Sequence, residues 1–172
     1  LGGTRDDAAG EAYDKVAKMM GLGYPGGRII DNLAKEGNPE AIRFPRARLK
    51  KNSYDFSFSG IKTAVRHYLN SGERKQREVQ KQDVAASFQE AVVDMLIDPT
   101  IKAAITHRID RIVLSGGVAA NSRLRAKMTE RANQDQLQVF YPAPKFCTDN
   151  GAMIALTGYH WLSRGRRDDY TL

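Results

Sequence analysis

The sequence predicts a helix-rich α/β fold with a short parallel sheet. The first two thirds of the chain carry apolar residues at helical spacing, interrupted by glycine and proline turns. The last third alternates short apolar runs with helical segments, in the order strand–helix–strand–helix. Because such an order requires crossover connections, the two strands are expected to pair in parallel with right-handed crossovers.

The first helix is predicted from a capping box and a glycine stop. Thr4 and Asp7 have capping-box spacing, with Asp replacing the usual Glu, and acidic residues suit the positive end of a helix. Helical spacing continues to Met20, and Gly21 is a typical C-terminal stop. A turn over 22–27 and a short helix from Ile29 to Lys35 follow.

The middle of the chain is predicted to be extended first and then helical. Residues 38–60 carry Pro39 and Pro45 and are expected to lack helix. Ile61 to Leu69 should be helical, and 70–82 a polar connection. Asp83 is predicted to cap a long amphipathic helix, which Pro99 should kink or restart.

The last third supplies the predicted sheet. We expect a strand at 111–115, a helix from Asn121 to about Asn133 and a second strand at 139–141. A final helix should run from Asp149 to about Ser163, capped by Thr148. A sheet of only two strands would leave open edges, so further strands are expected from sequence outside this chain. The missing initiator methionine also suggests that the chain begins within a longer protein.

Composition places the chain among globular proteins without a membrane span. No apolar run reaches the roughly 18 residues needed to cross a bilayer, and no signal peptide is recognisable. Cys147 is the only cysteine, so an internal disulfide is excluded and a reducing, cytoplasmic compartment is expected.

Basic residues are clustered, which favours a polyanionic partner. The formal net charge is +7, and four groups of cations stand out along the chain. The groups are Arg43, Arg46, Arg48, Lys50 and Lys51; Arg74, Lys75, Arg77 and Lys81; Arg123, Arg125, Lys127 and Arg131; and Arg164, Arg166 and Arg167. Each could be a solvated surface, but together they indicate contact with RNA. Lys62 is a further candidate contact to phosphate or tRNA.

Two glycine turns and one acidic residue form the candidate nucleotide site. The turn 116–121 joins a predicted strand to a predicted helix, where free amides favour phosphate and Asn121 could contact a ribose or base. Pro25-Gly26-Gly27 is a rigid turn that either ends a helix or lets a flat ligand approach the backbone. Asp14 could bind ribose hydroxyls, or belong to a solvated acidic face with lysine partners.

One carboxylate at the start of the last helix is a candidate metal ligand. Asp149 is a hard oxygen donor, although acidic residues at helix starts more often serve the helix dipole. Cys147 is more typical of a buried apolar residue than of a ligand. The three histidines form no i, i+4 pair, so a complete metal site is not expected here.

The order of these motifs resembles the TsaD family of tRNA adenosine threonylcarbamoyltransferases, also known as the YgjD or Gcp family. The resemblance covers residue 1 to about 158. It rests on five segments, which are Asp6 to Lys15, Gly23 to Gly27, Phe44-Pro45-Arg46 with Asp55 to Gly60, Gly116 to Asn121, and Cys147 to Ala155. Arg28 departs from the proline usual there, and Asp98-Pro99 interrupts a helix commonly continuous in relatives.

The resemblance implies a fold, a reaction and a ligand set. The fold would be the second lobe of an actin-like (RNase H-like) ATPase, incomplete over 1–172, with part of the parallel sheet missing and a helical and loop insertion at 28–82. Asp14, Gly27 and Asn121 match substrate-binding positions, and Asp149 matches a metal ligand whose companions lie in the first lobe. No catalytic residue is assigned.

The implied reaction moves the threonylcarbamoyl group of threonylcarbamoyl-AMP to the exocyclic amine of the adenosine beside the tRNA anticodon. The implied cofactor is one divalent iron or zinc ion, and the implied partners are tRNA, a TsaB-like paralogue and a TsaE-like ATPase, with no membrane. This chain alone is expected to be nearly inactive. The alternatives are an actin-like-fold ATPase, a sugar-kinase-like phosphotransferase, and a non-catalytic tRNA-binding module.

Overall fold

A computed structural model of the chain describes residues 1–47, 49, 53–74 and 79–169. Six α-helices, two short strands and three 3-10 turns lie within these ranges. The helices are α1 (Ala9–Met19), α2 (Gly26–Leu33), α3 (Ser59–Arg74), α4 (Lys81–Thr106), α5 (Ser122–Gln134) and α6 (Gly151–Ser163). The strands are β1 (Arg111–Val113) and β2 (Gln138–Phe140), and the 3-10 turns cover Ala34–Glu36, Gly117–Ala120 and Pro144–Phe146.

Helix α1 ends as predicted but begins differently. Gly21 has a φ of 68°, the left-handed conformation typical of a glycine stop. The predicted capping box is wrong, because α1 begins at Ala9 without a side-chain cap and Thr4 Oγ1 instead donates to the Asp7 carbonyl at 2.6 Å. Asp6, the residue before Asp7, bonds to a segment far away in the sequence. Asp6 accepts hydrogen bonds from the amides of Phe58 and Ser59 at 2.7 and 3.3 Å, next to the start of α3.

Helix α2 begins at Gly26, three residues earlier than predicted. The Asp14 side chain accepts a hydrogen bond from the Gly26 amide at 2.7 Å, so a residue of α1 satisfies a donor at the start of α2. A Cβ on Gly26 would lie 2.6 Å from the Tyr13 carbonyl oxygen. Only glycine therefore permits the close packing of α1 against α2.

Helix α4 is the central element of the fold, and the predicted cap at Asp83 and the predicted restart at Pro99 are wrong. It begins at Lys81 without a side-chain cap, while Asp83 Oδ1 accepts from the Asn38 amide at 2.8 Å and so holds the segment after the 3-10 turn Ala34–Glu36 against the start of α4. It also continues through Pro99 to Thr106. Ile97 and Ile101 are buried on either side of the proline, so tertiary packing holds the helix together where propensity alone would break it.

The burial of α4 differs from that of an amphipathic helix. Every residue from Val84 to Val93 is buried, so the helix has no solvent-facing side over that span. Its first half packs in a core with α1, α2 and α3, whose largest members include Tyr13, Phe58 and Phe88. Its second half packs in another core with α5 and the strands.

Helix α3 is longer than predicted. It runs from Ser59 to Arg74 and includes part of the predicted polar connection, whose residues 75–78 lie outside the described residues. Of the segment 38–60, predicted to lack helix, residues 38–47, 49 and 53–58 are extended or irregular, whereas Ser59 and Gly60 already belong to α3. Phe56 forms one isolated parallel bridge with Thr4. The assignment of 28–82 as an insertion stays a prediction.

The sheet confirms the predicted strand–helix–strand order. β1 and β2 pair in parallel, with Ile112 opposite Val139, and α5 forms the connection between them. Both strands are three residues long. The coarse prediction of a helix-rich α/β fold with a short parallel sheet is therefore confirmed. The last helix begins at Gly151, where Asn150 is the cap, so the prediction of Thr148 as the cap is wrong.

Helix α6 presents unusually exposed apolar residues. No residue of α6 is buried, and Ile154, Tyr159 and Leu162 are 76%, 66% and 61% exposed. On the sheet, Val113 is 70% exposed. Monomeric soluble proteins rarely leave such residues uncovered on one element. Across the described ranges, each helix is too short or too polar to span a bilayer.

Candidate functional site

A cavity of about 780 Å³ lies where α1, the start of α2, the 117–121 segment and the loop before α6 meet. This volume is within the range of about 300–1,000 Å³ typical of small-molecule sites. Three residues predicted to bind substrate share its wall. They are Asp14 from α1, Gly27 from α2 and Asn121 from the cap of α5.

Asp14 is anchored through one oxygen. Its Oδ1 accepts from the Gly26 amide, whereas Oδ2 makes no hydrogen bond to another described residue. The alternative of a solvated acidic face is confirmed for Glu11, which pairs with Lys15 at 2.5 Å, whereas among the described residues Asp14 forms no ion pair with Lys18, the partner expected for it. Asp14 therefore combines a fixed position with a free acceptor at the cavity.

Gly27, unlike Gly26, has open space where a side chain would be. A Cβ built on Gly27 meets no atom within 4 Å, whereas a Cβ on Gly26 collides with α1. Protein packing therefore explains glycine at position 26 only. The open space over Gly27 belongs to the cavity, where a missing side chain leaves room for a ligand.

Asn121 is almost fully committed to the protein itself. Its Oδ1 accepts from the Leu124 amide at 2.8 Å and thereby caps α5. Its Nδ2 donates to Gln89 Oε1 at 2.7 Å, and the Tyr13 hydroxyl lies 3.5 Å away. With only 8% of its surface exposed, Asn121 shapes the cavity wall and has little free capacity for a ligand.

The predicted phosphate position shifts by a few residues. The start of α5 is already occupied by a carboxylate, because Asp31 accepts from the Ser122 amide at 3.2 Å and from its hydroxyl at 2.8 Å. The amides of Gly117 and Val118 donate to no other described residue, and both residues line the cavity. The free donors therefore belong to the 3-10 turn before α5 rather than to α5 itself.

Two charged residues of the wall were missed by sequence reasoning. Asp31 follows Gly27 by four residues, one turn along α2, and this spacing could have revealed it. Lys145 lies in the loop before α6, where no periodic pattern predicts its direction. Lys145 forms no ion pair with another described residue, and its Nζ lies 4.9 Å from the Phe146 ring centroid, so no carboxylate of the described chain neutralises its charge.

Asp149 lies beside the cavity rather than in its wall. It is exposed and follows Thr148, which does line the cavity. It forms no hydrogen bond or ion pair with a described residue, which fits a carboxylate available to a cation. Within the described ranges, no group of three or more His, Cys, Asp or Glu side chains could hold a metal ion. The role of Asp149 as a metal ligand therefore stays a prediction.

A partly buried ion network fixes α5, and with it the cavity wall, against α4. Arg123 donates to both Glu90 oxygens at 2.6 and 2.9 Å, while Lys127 contacts Glu90 and Asp94. The hydrogen bonds from Arg123, followed by those from Lys127, lower the pKa of Glu90 to about 2 despite burial. Burial alone would lower the pKa of Lys127, but the two carboxylates outweigh it and raise this pKa.

These contacts correct the interpretation of the third basic cluster. Arg123 and Lys127 pair with acidic residues of α4, and Arg131 pairs with Asp135. Arg125 bonds to carbonyl oxygens. The cluster is therefore a set of internal contacts and gives no support for RNA binding.

The other cations indicated for RNA are in part committed or undescribed. Lys62 is mostly buried and pairs with Asp7, and Arg46 pairs with Asp94 at 2.8 Å. Arg166 lies over the Trp161 ring, with its guanidinium carbon 4.1 Å from the centroid. Arg48, Lys50, Lys51, Lys75 and Arg77 fall outside the described residues.

Comparison with solved structures first defines the class of fold. The crystal structure of full-length HypF in the phosphate- and nucleotide-bound form superposes with a TM-score of 0.60. The match covers 83% of this chain and 18% of HypF, at 21% sequence identity. At that identity the likeness concerns the fold alone, and it places the chain among helix-rich α/β lobes of the HypF kind.

Comparison of sequences is more specific. The sequence model of the TsaD family, tRNA N6-adenosine threonylcarbamoyltransferase, matches residues 1–156. The chain belongs to this family.

Several curated relatives carry the same description. The Clostridioides difficile strain 630 enzyme is 55% identical over 172 residues, which is all of this chain and 51% of the relative. The Clostridium botulinum strain Hall enzyme is 54% identical over 97% of this chain and 49% of its own length. The Clostridium perfringens strain 13 enzyme is 51% identical over all of this chain and 51% of the relative. The chain thus spans about half the length of these relatives.

Proposed function

We propose that the intact protein carrying this chain transfers a threonylcarbamoyl group from threonylcarbamoyl-AMP to the exocyclic amine of the adenosine beside the tRNA anticodon. This chain would form the part of the site that binds the AMP moiety. The observation that supports the proposal most strongly is the meeting of Asp14, Gly27 and Asn121, from three separate elements, around one cavity. Membership of the TsaD family supplies the chemistry to which the cavity is assigned.

The hydrogen-bonding groups of the cavity wall that lack a described partner favour one orientation of AMP, and Arg28, a cation of α2, also lines the cavity. The free oxygen of Asp14 suits ribose hydroxyls, which are donors, and the open space over Gly27 suits a flat base or a ribose. At the other wall, the free amides of Gly117 and Val118 and the ammonium of Lys145 suit a phosphate. The adenosine would therefore lie toward α1 and α2, and the phosphate toward the loop before α6.

The transfer step is a nucleophilic acyl substitution. The adenosine amine attacks the carbamoyl carbonyl carbon, a new C–N bond forms, and the bond from that carbon to the phosphate oxygen breaks. AMP leaves with the bonding electron pair, and the amine nitrogen releases one proton. The residues of this chain bind and orient the leaving group, which raises the rate by fixing the attack geometry. No residue of the cavity is assigned as the base.

A metal ligand is the second contribution proposed for this chain. Asp149 is an exposed carboxylate at the phosphate end of the cavity, so it fits one coordination position of a divalent ion, iron or zinc. When bound, such an ion would act as a Lewis acid toward the carbamoyl oxygen. The remaining ligands would come from outside this chain. On the same family grounds, the actin-like second lobe, the TsaB-like and TsaE-like partners and the cytoplasm are proposed for the intact protein.

The alternatives receive less support. A non-catalytic tRNA-binding module would need exposed cations, but the third basic cluster is used internally. For a phosphotransferase or ATPase, the cavity offers the same nucleotide contacts, so only an activity measurement separates these from the transferase. The likeness to HypF does not separate them, because it concerns the fold alone.

A transfer assay tests the proposal. The intact protein is mixed with threonylcarbamoyl-AMP, an unmodified tRNA and the partner proteins, and the modified nucleoside is quantified by mass spectrometry. We expect modification at the adenosine beside the anticodon, lowered about 10- to 100-fold by Asp14→Asn, because a hydrogen bond to a charged group contributes about 1.5–3 kcal/mol. ATP hydrolysis or sugar phosphorylation without any modified adenosine would refute the transferase.

A further inference from the structure

We infer that Arg125 is a positioning residue that sets the distance between the two phosphate-side walls of the cavity. One wall is the glycine turn, defined as residues 116–121. The other is the Cys147 loop, defined as residues 142–150, which carries Lys145 and Asp149. The inference rests on the proposed function for its ligand, AMP, but its structural part stands on contacts of this chain alone.

The guanidinium of Arg125 touches both walls at once. Its Nε donates to the Ala119 carbonyl oxygen of the glycine turn at 2.5 Å. Its Nη2 donates to the Pro142 carbonyl oxygen at 2.9 Å and lies 3.0 Å from Cys147 Sγ, both in the Cys147 loop. The Tyr141 ring covers the guanidinium, with the ring centroid 4.6 Å from its carbon.

Other hydrogen bonds do not replace this bridge. Within the part of the chain that the structure describes, the backbone hydrogen bonds of the Cys147 loop are local, such as Phe146 to Ala143 and Cys147 to Pro144. None of them reaches the glycine turn. Arg125 itself is fixed, because it lies one turn after Asn121 on α5 and its amide donates to the Asn121 carbonyl at 3.3 Å. A single side chain therefore links the walls through polar contacts.

The bridge requires an arginine at position 125 because of the geometry of the guanidinium group. A planar guanidinium offers several donors in fixed directions, so it can bond to two carbonyl oxygens while lying flat on a ring. A lysine would keep the charge but present it as a single point. We therefore expect Arg125→Lys to behave like a loss of the bridge and not like a conservative change.

The test measures the mobility of the loop and two affinities in the intact protein. Hydrogen–deuterium exchange is followed for peptides covering 142–150 and, as an internal reference, for the buried part of α4. AMP and adenosine affinities are measured by calorimetry. The variants are Arg125→Met and Arg125→Lys. The matched control is Arg131→Met, since Arg131 lies on the same helix but bonds to Gln134 and Asp135, away from both walls.

We expect both Arg125 variants to accelerate exchange of the loop about tenfold or more, since two hydrogen bonds at about 1 kcal/mol each are lost. AMP affinity should fall by a similar factor while adenosine affinity stays within about twofold, because the loop meets the phosphate end.

Unchanged loop exchange would overturn the inference, as would equal losses for AMP and adenosine. Accelerated exchange of α4 would also overturn it, by showing a general loss of stability. If the wild-type protein binds no AMP, the proposed function fails while the exchange data still decide whether Arg125 links the walls.

Discussion

Individual residues at the cavity differ in whether their polar groups bond within the protein or remain open at the cavity. Asp14 uses one oxygen to accept from the amide at the start of α2 and makes no hydrogen bond with the other to a described residue, whereas Asn121 uses both ends of its amide within the protein. Gly26 serves the packing of α1 on α2, while Gly27 serves open space. The two neighbouring glycines are therefore expected to differ in effect, because one contributes to stability and the other to the shape of the cavity. Substitutions at each position can test this difference.

The two glycines form the first test. Gly26→Ala should lower the free energy of unfolding by roughly 2 kcal/mol or more, because its methyl group would collide with backbone atoms of α1. Gly27→Ala should leave stability within about 0.5 kcal/mol and lower AMP affinity, since its methyl group would enter the cavity. Urea unfolding and calorimetry on both variants measure these effects. Equal stability of the two variants would contradict this division.

Asp14 gives the second test at this scale. Asp14→Asn keeps an acceptor for the Gly26 amide, so α2 should still begin at Gly26 and unfolding should change little. The loss of the charge should weaken AMP binding about tenfold or more, while inorganic phosphate binding should not weaken. The control is Asp98→Asn, which changes an exposed carboxylate of α4. A variant that binds AMP like the wild type would show that Asp14 does not bind the ribose.

At the scale of elements, α4 decides both the fold and the site. Its first half supports α1, which carries Asp14, and its second half supports the sheet and α5. Through Gln89 and Glu90 it also holds Asn121 and Arg123. The cavity wall is therefore as stable as the contacts between α4 and α5.

The Glu90 network predicts a specific dependence on pH. The folded-state pKa of Glu90 is about 2, below its ordinary 4.5, so its ionised form stabilises the fold above about pH 5. That contribution, at most about 3 kcal/mol, is lost as the pH falls from about 5 to about 2. Urea unfolding between pH 7 and pH 3 should show a shallower decline for Glu90→Gln than for the wild type. Glu40→Gln, a change in an exposed loop, should follow the wild type, and parallel declines for all three would contradict the role of Glu90.

The elements also show what sequence could and could not predict. Helical spacing and the Gly21 stop located the end of α1, and helical spacing and short apolar runs located α5 and both strands to within a few residues, because these are local signals. The starts of α2 and α4 and the passage of α4 through Pro99 were missed, because Asp14, Asp83 and Ile97 act there through distant partners. Charge clusters were the least informative, since a cation paired across the fold has the same sequence pattern as a free one.

At the scale of the whole molecule, the exposed apolar face is the main anomaly. This face is α6, on which no residue is buried. The relatives are about twice as long as this chain, and such a face agrees with further structure that covers it in the intact protein.

The apolar face makes a prediction for the purified chain. The 172-residue chain should bind a hydrophobic dye and self-associate, and replacing Ile154 and Leu162 by serine should reduce both. Replacing Met19, an exposed apolar residue of α1, is the control and should change neither. Dye fluorescence and sedimentation velocity provide the measurements. A monodisperse chain that binds no dye would show that the face needs no cover.

The central claim is that one cavity binds the AMP moiety of the donor, and a crystal structure of the intact protein with AMP tests it most directly. The account predicts ribose oxygens within about 3.2 Å of Asp14 and the phosphate at the amides of Gly117 and Val118. AMP bound on another surface, or with its phosphate toward Asp14, would contradict the account.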